Sequence, residues 1–337
     1  MSVSVGIDKL IVGITDYVQP PFDIEQRAFG EGVEFIAFNS ESEERLHPEN
    51  LSRCQVLLVW HTPITQRTVR HLTSCRIVVR YGVGCDAIDI PSLVRADIPF
   101  CNTPDYGTEE VADTAVAMIM GLQRRVFEYD FACRFFEQGW QEHTLKPLMR
   151  TNTRTVGIVG VGRIGTAVAN RLKAFGVRLM GFDPYQPSGH EKAVGYQRVH
   201  RLEELLRESD IITIHAPLTP ETRGMVGKTF LDKMRKGAIL VNTARGQIIE
   251  SLDLIEVALR EGRLAGVGLD VLPDEPPGDH PLIRAWRAYD PSLCGRLVIN
   301  PHTSYYSAHA WEEMRFKAAE TAAMYLRDGY LRNQVLR

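Results

Sequence analysis

Apolar residues in this chain gather into short runs of about four to six, often β-branched, and between the runs lie stretches with apolar positions three and four apart. Such alternation predicts an α/β protein with parallel sheets, because a strand covered on both faces reads as a continuous apolar run. In the first hundred residues strands are expected at 10–14, 33–38, 55–60, 76–81 and 99–102. Helices are expected over 24–31, 65–74 and 90–96. A second series of strands follows at 155–159, 178–182, 196–198, 211–215, 238–242, 265–269 and 297–300, with helices between them and Gly262 and Gly266 as turn markers. A long helix is expected over 108–125, with Thr108 as N-cap and Glu109 and Glu110 in the first turn. Its apolar residues run nearly all the way round, so it is buried, in its own domain or in part by another subunit. The stretch 127–150 carries Phe131, Phe135, Phe136, Trp140 and Leu145 among charges, and reads equally as an arm at a dimer interface or as a helix on its own core. A last helix spans 307–328.

One stretch carries chemistry by its order alone. The apolar run Val156–Val159 leads into Gly160-Val161-Gly162-Arg163-Ile164-Gly165, a helix is expected over 166–176, and Asp183 closes the next apolar run, 18 residues past the last glycine. This is the dinucleotide-binding order: Gly160 for the turn, Gly162 for close approach of backbone amides to a pyrophosphate, Gly165 for packing of helix on strand. The N-terminus of that helix offers unpaired N–H groups and the positive end of its dipole. Asp183 accepts the hydroxyls of an adenosine ribose and repels a 2′-phosphate, so the expected cofactor is NAD.

Composition narrows the class. The chain has 337 residues, 44% apolar and 24% charged, which fits two soluble globular domains. A net charge of −3 gives no reason to expect nucleic acid or an anionic membrane as partner. No apolar run approaches the ~20 residues of a membrane span. Cysteines 54, 75, 85, 101, 133 and 294 form no C-x-x-C pair and no zinc spacing, so no metal site is expected. Free thiols, together with a beginning that lacks the pattern of a signal peptide, point to the cytoplasm.

Three polar residues follow strands of the second series: Arg245 in Asn242-Thr243-Ala244-Arg245-Gly246, Glu275 in Asp270-Val271-Leu272-Pro273-Asp274-Glu275, and His302 in Asn300-Pro301-His302. Carboxyl ends of parallel strands face the ligand crevice, so the three are expected to converge there. Their types suit reduction of a 2-oxo acid. Arg245 grips the carboxylate and polarises the carbonyl. His302 delivers the proton, and Glu275 holds one ring nitrogen and favours the protonated imidazole.

With these residues in place, the chain resembles the D-isomer-specific 2-hydroxyacid dehydrogenases from about residue 56 to about 326. The matching motifs are Gly82-Val83-Gly84-Cys85-Asp86, Gly160 to Gly165, His215-Ala216-Pro217-Leu218-Thr219, Asn242 to Gly246, Asp270 to Pro276 and Pro301-His302. It is most similar to the C-terminal-binding-protein branch, through Trp60-His61-Thr62, Arg80-Tyr81-Gly82, Phe182-Asp183-Pro184-Tyr185 and Tyr306-Ser307. The resemblance implies the catalytic set Arg245, Glu275 and His302. It implies cofactor contacts from Thr114, Arg163, Ile164, Pro184, Ala216, Pro217, Thr222, Thr243 and Ala244, with Asp270 at the nicotinamide carboxamide. It places the substrate near Trp60, His61, Arg80, Tyr305 and the amides of Val83 and Gly84. It implies a Rossmann NAD-binding domain, 104–303, inserted into a flavodoxin-like substrate domain of 1–103 completed by 304–337, and a homodimer joined through the NAD domains.

The sequence departs from the branch at Tyr305, where a tryptophan usually stands three residues after the histidine, and the stretch 286–296 is longer than a simple connector. The principal reading is an NAD-dependent reductase of a small 2-oxo acid. Two others stay open: an NAD(H)-sensing regulatory dimer of the corepressor kind, and a reductase of phosphonate-type oxo acids in which Arg80, with His61, takes a second anionic group. Arg80 reads equally as packing at the sheet end.

Overall fold

The structure, a computed structural model, describes residues 9–134, 140–142, 145 and 147–335. Its strands are β1 Leu10–Ile14, β2 Val33–Ala37, β3 Val56–Val59, β4 Ile77–Arg80, β5 Phe100–Cys101, β6 Thr155–Val159, β7 Arg178–Phe182, β8 Gln197–Arg198, β9 Ile211–Ile214, β10 Ala238–Asn242, β11 Leu264–Leu269 and β12 Leu297–Ile299. Its α-helices are α1 Asp23–Phe29, α2 Pro48–Arg53, α3 Gln66–Val69, α4 Ile90–Arg95, α5 Thr108–Gln123, α6 Val126–Cys133, α7 Arg163–Leu172, α8 His190–Val194, α9 Leu202–Glu208, α10 Lys228–Lys233, α11 Leu252–Arg260, α12 Pro281–Arg287 and α13 Ala308–Asp328.

The chain forms two compact units, one from residues up to Gly107 together with those from Ser307 onward, the other from Thr108 to Tyr306. The first unit holds a five-stranded parallel sheet in the order β2-β1-β3-β4-β5. β3 is buried at all four positions, as its sequence VLLV requires. Leu57, Val59, Val78, Leu93 and Phe100 form its core with Leu51 and Ile64. The C-terminal helix α13 returns to this unit, where Arg315 donates to both oxygens of Glu25 on α1 at 2.8 and 2.6 Å. The Tyr81 hydroxyl, fully buried at the end of β4, donates to the same carboxylate at 3.2 Å.

The second unit holds a seven-stranded parallel sheet in the order β12-β11-β10-β9-β6-β7-β8. Both sheets have doubly wound order, with crossovers to either side of a first strand. Two apolar clusters cover the larger sheet. α5 is buried within its own unit through Ala112, Ala115, Met118, Ile119 and Leu122. Gly266 and Gly268 make room for it: a Cβ there would stand 3.0 Å from Leu122 and 3.1 Å from the Met118 sulfur. Gly266 is therefore an interior residue of β11 and not a turn marker, whereas Gly262 does turn the chain with φ +67°.

Other differences are at element ends. Thr108 is the first helical residue of α5 and not its cap. α3 ends at Val69, so only the front of the expected helix 65–74 forms, behind a Thr65 side chain that accepts from Arg67 N. α7 starts at Arg163, three residues earlier than expected. The stretch 286–296 is stapled by Arg296, whose guanidinium donates to the carbonyls of Leu259, Leu264 and Ala265 at 2.7–3.0 Å. Of the aromatic stretch 127–150, Phe135 and Phe136 lie outside the described residues. α6 buries none of its side chains. Among the described residues no helix is long and apolar enough to cross a membrane.

Candidate active site

The glycine turn follows from the way β6 meets its neighbours. β6 is buried at every position and lies between β7 and β9. Its end passes so close to the backbone after β9 that a Cβ on Gly160 would lie 2.7 Å from Ala216 N, and φ there is +84°. Only glycine combines that conformation with that approach. A Cβ on Gly165 would drive into the Gly160 carbonyl, which fixes the contact of α7 with the strand. Gly162, the N-cap of α7, meets nothing within 4 Å. Open space thus stands before the unpaired amides of the first helical turn, where Arg163 is exposed and Ile164 half-buried. Asp183, after β7, accepts Val161 N and Tyr185 N at 2.9 Å, one on each carboxylate oxygen. Each oxygen keeps a further acceptor position. These residues fit a dinucleotide: a pyrophosphate at Gly162 and a ribose at Asp183.

The remaining expected cofactor residues lie in the same unit. Pro184 follows Asp183, and Thr114 is half-buried on α5. Ala216 and Pro217 follow β9. The Thr222 hydroxyl is used within its loop, accepting from Thr219 N at 2.8 Å and donating to Pro217 O at 2.6 Å. Thr243 and Ala244 follow β10 in a turn shaped by fully buried Asn242, whose Oδ1 accepts from Ala244 N at 3.0 Å and whose Nδ2 donates to Arg245 O at 2.9 Å. Burial pulls His215, after β9, down to about 3, so the ring is neutral, with Nε2 2.9 Å from Thr213 Oγ1.

The three chemical residues come from the ends of adjacent strands β10, β11 and β12. Arg245 donates to Ala244 O at 2.7 Å. The next residue, Gly246, packs on the Leu272 carbonyl so tightly that any side chain would overlap it, which binds the Arg245 turn to the Glu275 loop. Glu275 Oε1 accepts from Leu272 N at 2.7 Å, and Oε2 lies 2.7 Å from His302 Nδ1. Burial alone would push the Glu275 carboxyl up. The hydrogen bond and charge of His302, the Leu272 amide and the charge of Arg245 outweigh it and hold Glu275 below its ordinary value. The electrostatics therefore couple all three residues, and Nε2 is the His302 atom left for chemistry.

The position of His302 depends on Asp270, only 2% exposed at the end of β11. The Asp270 carbonyl accepts from His302 N at 2.8 Å, and its carboxylate accepts Thr303 N at 3.0 Å and Ser304 N at 3.1 Å. Burial pushes this carboxyl up against those bonds. His302 itself has φ +53°, so the chain turns sharply after Pro301. The Tyr305 ring stands edge-on to His302, centroids 6.4 Å apart.

The smaller unit carries the other expected residues at the ends of its own adjacent strands β1, β3 and β4. Buried Asp16 accepts the amides of Trp60, His61 and Thr62 at 3.3, 2.7 and 3.2 Å, and the Thr62 hydroxyl at 2.8 Å. His61 Nδ1 lies 3.1 Å from the same carboxylate. Burial would raise the Asp16 carboxyl, but these donors hold it at about 2. The Arg80 guanidinium sits over the Trp60 ring, 5.4 Å from its centroid. Val83 is 38% exposed on the Gly82-Val83-Gly84 loop, and Asn102 Nδ2 donates to its carbonyl at 2.7 Å. Asp16, Asn102 and Asn242 were not expected as site residues. Their partners are mostly backbone groups, which leave no sequence pattern.

The NAD-binding domain model of the D-isomer specific 2-hydroxyacid dehydrogenases matches residues 116–304. A glyoxylate reductase of Korarchaeum cryptofilum (strain OPF8) is 39% identical over 281 residues, 82% of this chain and 79% of that protein. A D-3-phosphoglycerate dehydrogenase of Methanocaldococcus jannaschii is 34% identical over 249 residues, 74% of this chain but 46% of that longer protein. Among solved structures, a glyoxylate reductase from Paecilomyes thermophila superposes with a TM-score of 0.83 at 26% identity, covering 97% of this chain and 98% of the other.

Proposed function

The chain belongs to the D-isomer specific 2-hydroxyacid dehydrogenases, NAD-dependent oxidoreductases of CH–OH groups, and from that premise we propose that it reduces a small 2-oxo acid to its D-2-hydroxy acid with NADH. The observation that carries the proposal is the His302–Glu275 pair, 2.7 Å apart, in the field of Arg245. Gly160, Gly162, Arg163, Ile164 and Gly165 would hold the pyrophosphate, Asp183 and Pro184 the adenosine ribose. Thr114, Ala216, Pro217, Thr222, Thr243 and Ala244 would line the rest, and Asp270, held by the His302 loop, would meet the carboxamide. When bound, the cofactor supplies the hydride.

The other steps belong to side chains. Arg245 binds the substrate carboxylate and polarises the C2 carbonyl. His302 Nε2 gives its proton to the carbonyl oxygen of the substrate as negative charge develops there. Glu275 stays ionised and keeps Nδ1 of His302 engaged, so the proton to be given sits on Nε2. In oxidation neutral His302 takes that proton back. The place of Arg80 over Trp60 favours packing at the sheet end over a grip on a second anionic group. The name of the 39% identical relative makes glyoxylate the first substrate to test.

Replacing His302 by Asn is expected to lower kcat about 10²- to 10⁴-fold, and Arg245→Gln to lower kcat and raise KM for the oxo acid together. Turnover within a few-fold of wild type in either variant would overturn the assignment. We further propose a homodimer through α6 and the segment after it, supported by Val126, Trp140 and Met149, each more than half exposed. Light scattering should give twice the 38.0 kDa chain mass, and a monomer at micromolar concentration would refute this.

A further inference from the structure

Two loops that take no part in the hydride and proton steps meet beside the glycine turn. In the larger sheet β6 lies between β9 and β7. The chain leaving β7 runs Asp183-Pro184-Tyr185, and the chain leaving β9 runs on to Thr219-Pro220-Glu221. The Tyr185 hydroxyl donates to Glu221 Oε2. A hydrogen bond therefore links the loops on either side of the strand that carries Gly160. Both loops are held in shape. Asp183 accepts Tyr185 N at 2.9 Å, and Arg198 donates to the carbonyls of Gln186 and Pro187 at 2.8 and 3.2 Å. Thr222, next to Glu221, locks its own loop through Pro217 and Thr219. The Tyr185 proton is held more tightly than usual, first by the bond to Glu221 and also by the charges of Glu221 and Asp183. One hydroxyl thus lies within the fields of two carboxylates from two loops.

We propose that Glu221, held by Tyr185, is a second determinant of cofactor choice, a carboxylate across the end of β6 from Asp183 that penalises a 2′-phosphate on the adenosine ribose. The proposal rests on the reading that the glycine turn and Asp183 hold the adenosine half of NAD. Asp183 acts by contact, accepting hydroxyls. Glu221 needs no contact: a phosphate with nearly two negative charges feels it across the crevice, while the neutral 2′-hydroxyl of NAD does not. The pair is exposed, Tyr185 at 76%, so the effect is screened by salt.

The test is the dissociation constant of NADH and of NADPH, read by nicotinamide fluorescence with the whole chain. Glu221→Gln keeps an acceptor for Tyr185 and removes only the charge. It is expected to tighten NADPH about fivefold at low salt, to leave NADH within about twofold, and to lose most of that gain at 1 M salt, where screening acts over ~3 Å. Added to Asp183→Asn, it should tighten NADPH further. If NADH binds well, Asp183→Asn relaxes the discrimination and Glu221→Gln changes nothing in either background, this proposal falls and the cofactor reading stands. If wild type binds neither nucleotide, or both equally, the cofactor reading falls and takes the proposal with it.

Discussion

Single side chains here act mainly by holding loops, and Asp16 shows it with a sign that can be checked. Its carboxyl is held at about 2 against an ordinary 3.8. A depressed carboxyl contributes stability that is fully present above its unfolded value and is lost as pH falls through the folded one. The contribution of Asp16 is therefore complete above pH 4 and disappears towards pH 2; it amounts to about 2 kcal/mol. Asp16→Asn should lower the urea-unfolding free energy by about that much at pH 7, with the difference shrinking between pH 4 and pH 2. A constant difference across that range would contradict the account. That Arg245, Glu275 and His302 come together was legible in the sequence because each lies a few residues past an apolar run. Asp16, Asn102 and Asn242 were not, because nothing in a lone Asp or Asn tells which amides fold onto it.

Among the elements, strands were read well and helix ends less so. Seven of the expected strands reach one residue beyond the observed one at an end or both, as at 55–60 against Val56–Val59. At Trp60, Tyr81 and Tyr196 burial extends one residue beyond the strand end. The start of α7 was read too late because glycines weaken the helical signal, yet Gly162 and Gly165 belong to that start for reasons of space. The two positions predict opposite behaviour. Gly162→Ala adds a methyl where nothing stands within 4 Å, so thermal stability should hold while NADH affinity falls at least tenfold, since the methyl takes pyrophosphate space. Gly165→Ala drives into the Gly160 carbonyl and should lose both. Calorimetry with and without NADH separates them; equal thermal stability in the two variants would contradict this reading of the turn.

For the whole molecule, the class was legible because parallel strands buried on both faces cannot be written without continuous apolar runs. Which strand neighbours which was not carried by any local pattern, and the doubly wound orders were expected only through family resemblance. Long-range closure was equally hidden: Arg315 and Glu25 form a buried bidentate pair 290 positions apart, and neither residue stands out in its helix. That pair and Tyr81 tie the last long helix to the first helix and to the strand leading into the Gly82-Val83-Gly84 loop. The larger unit holds the glycine turn, Asp183 and the coupled Arg245, Glu275 and His302, all at carboxyl ends of strands in one sheet. The reductase activity is tested by NADH oxidation at 340 nm by the purified protein with glyoxylate, pyruvate, hydroxypyruvate and bulkier 2-oxo acids, with NADPH in parallel. Rapid turnover of a small 2-oxo acid with NADH is expected, with much slower turnover with NADPH and chirally pure D-product wherever the product is chiral. Tight NADH binding with no oxidation by any acid of the panel would contradict the reductase assignment.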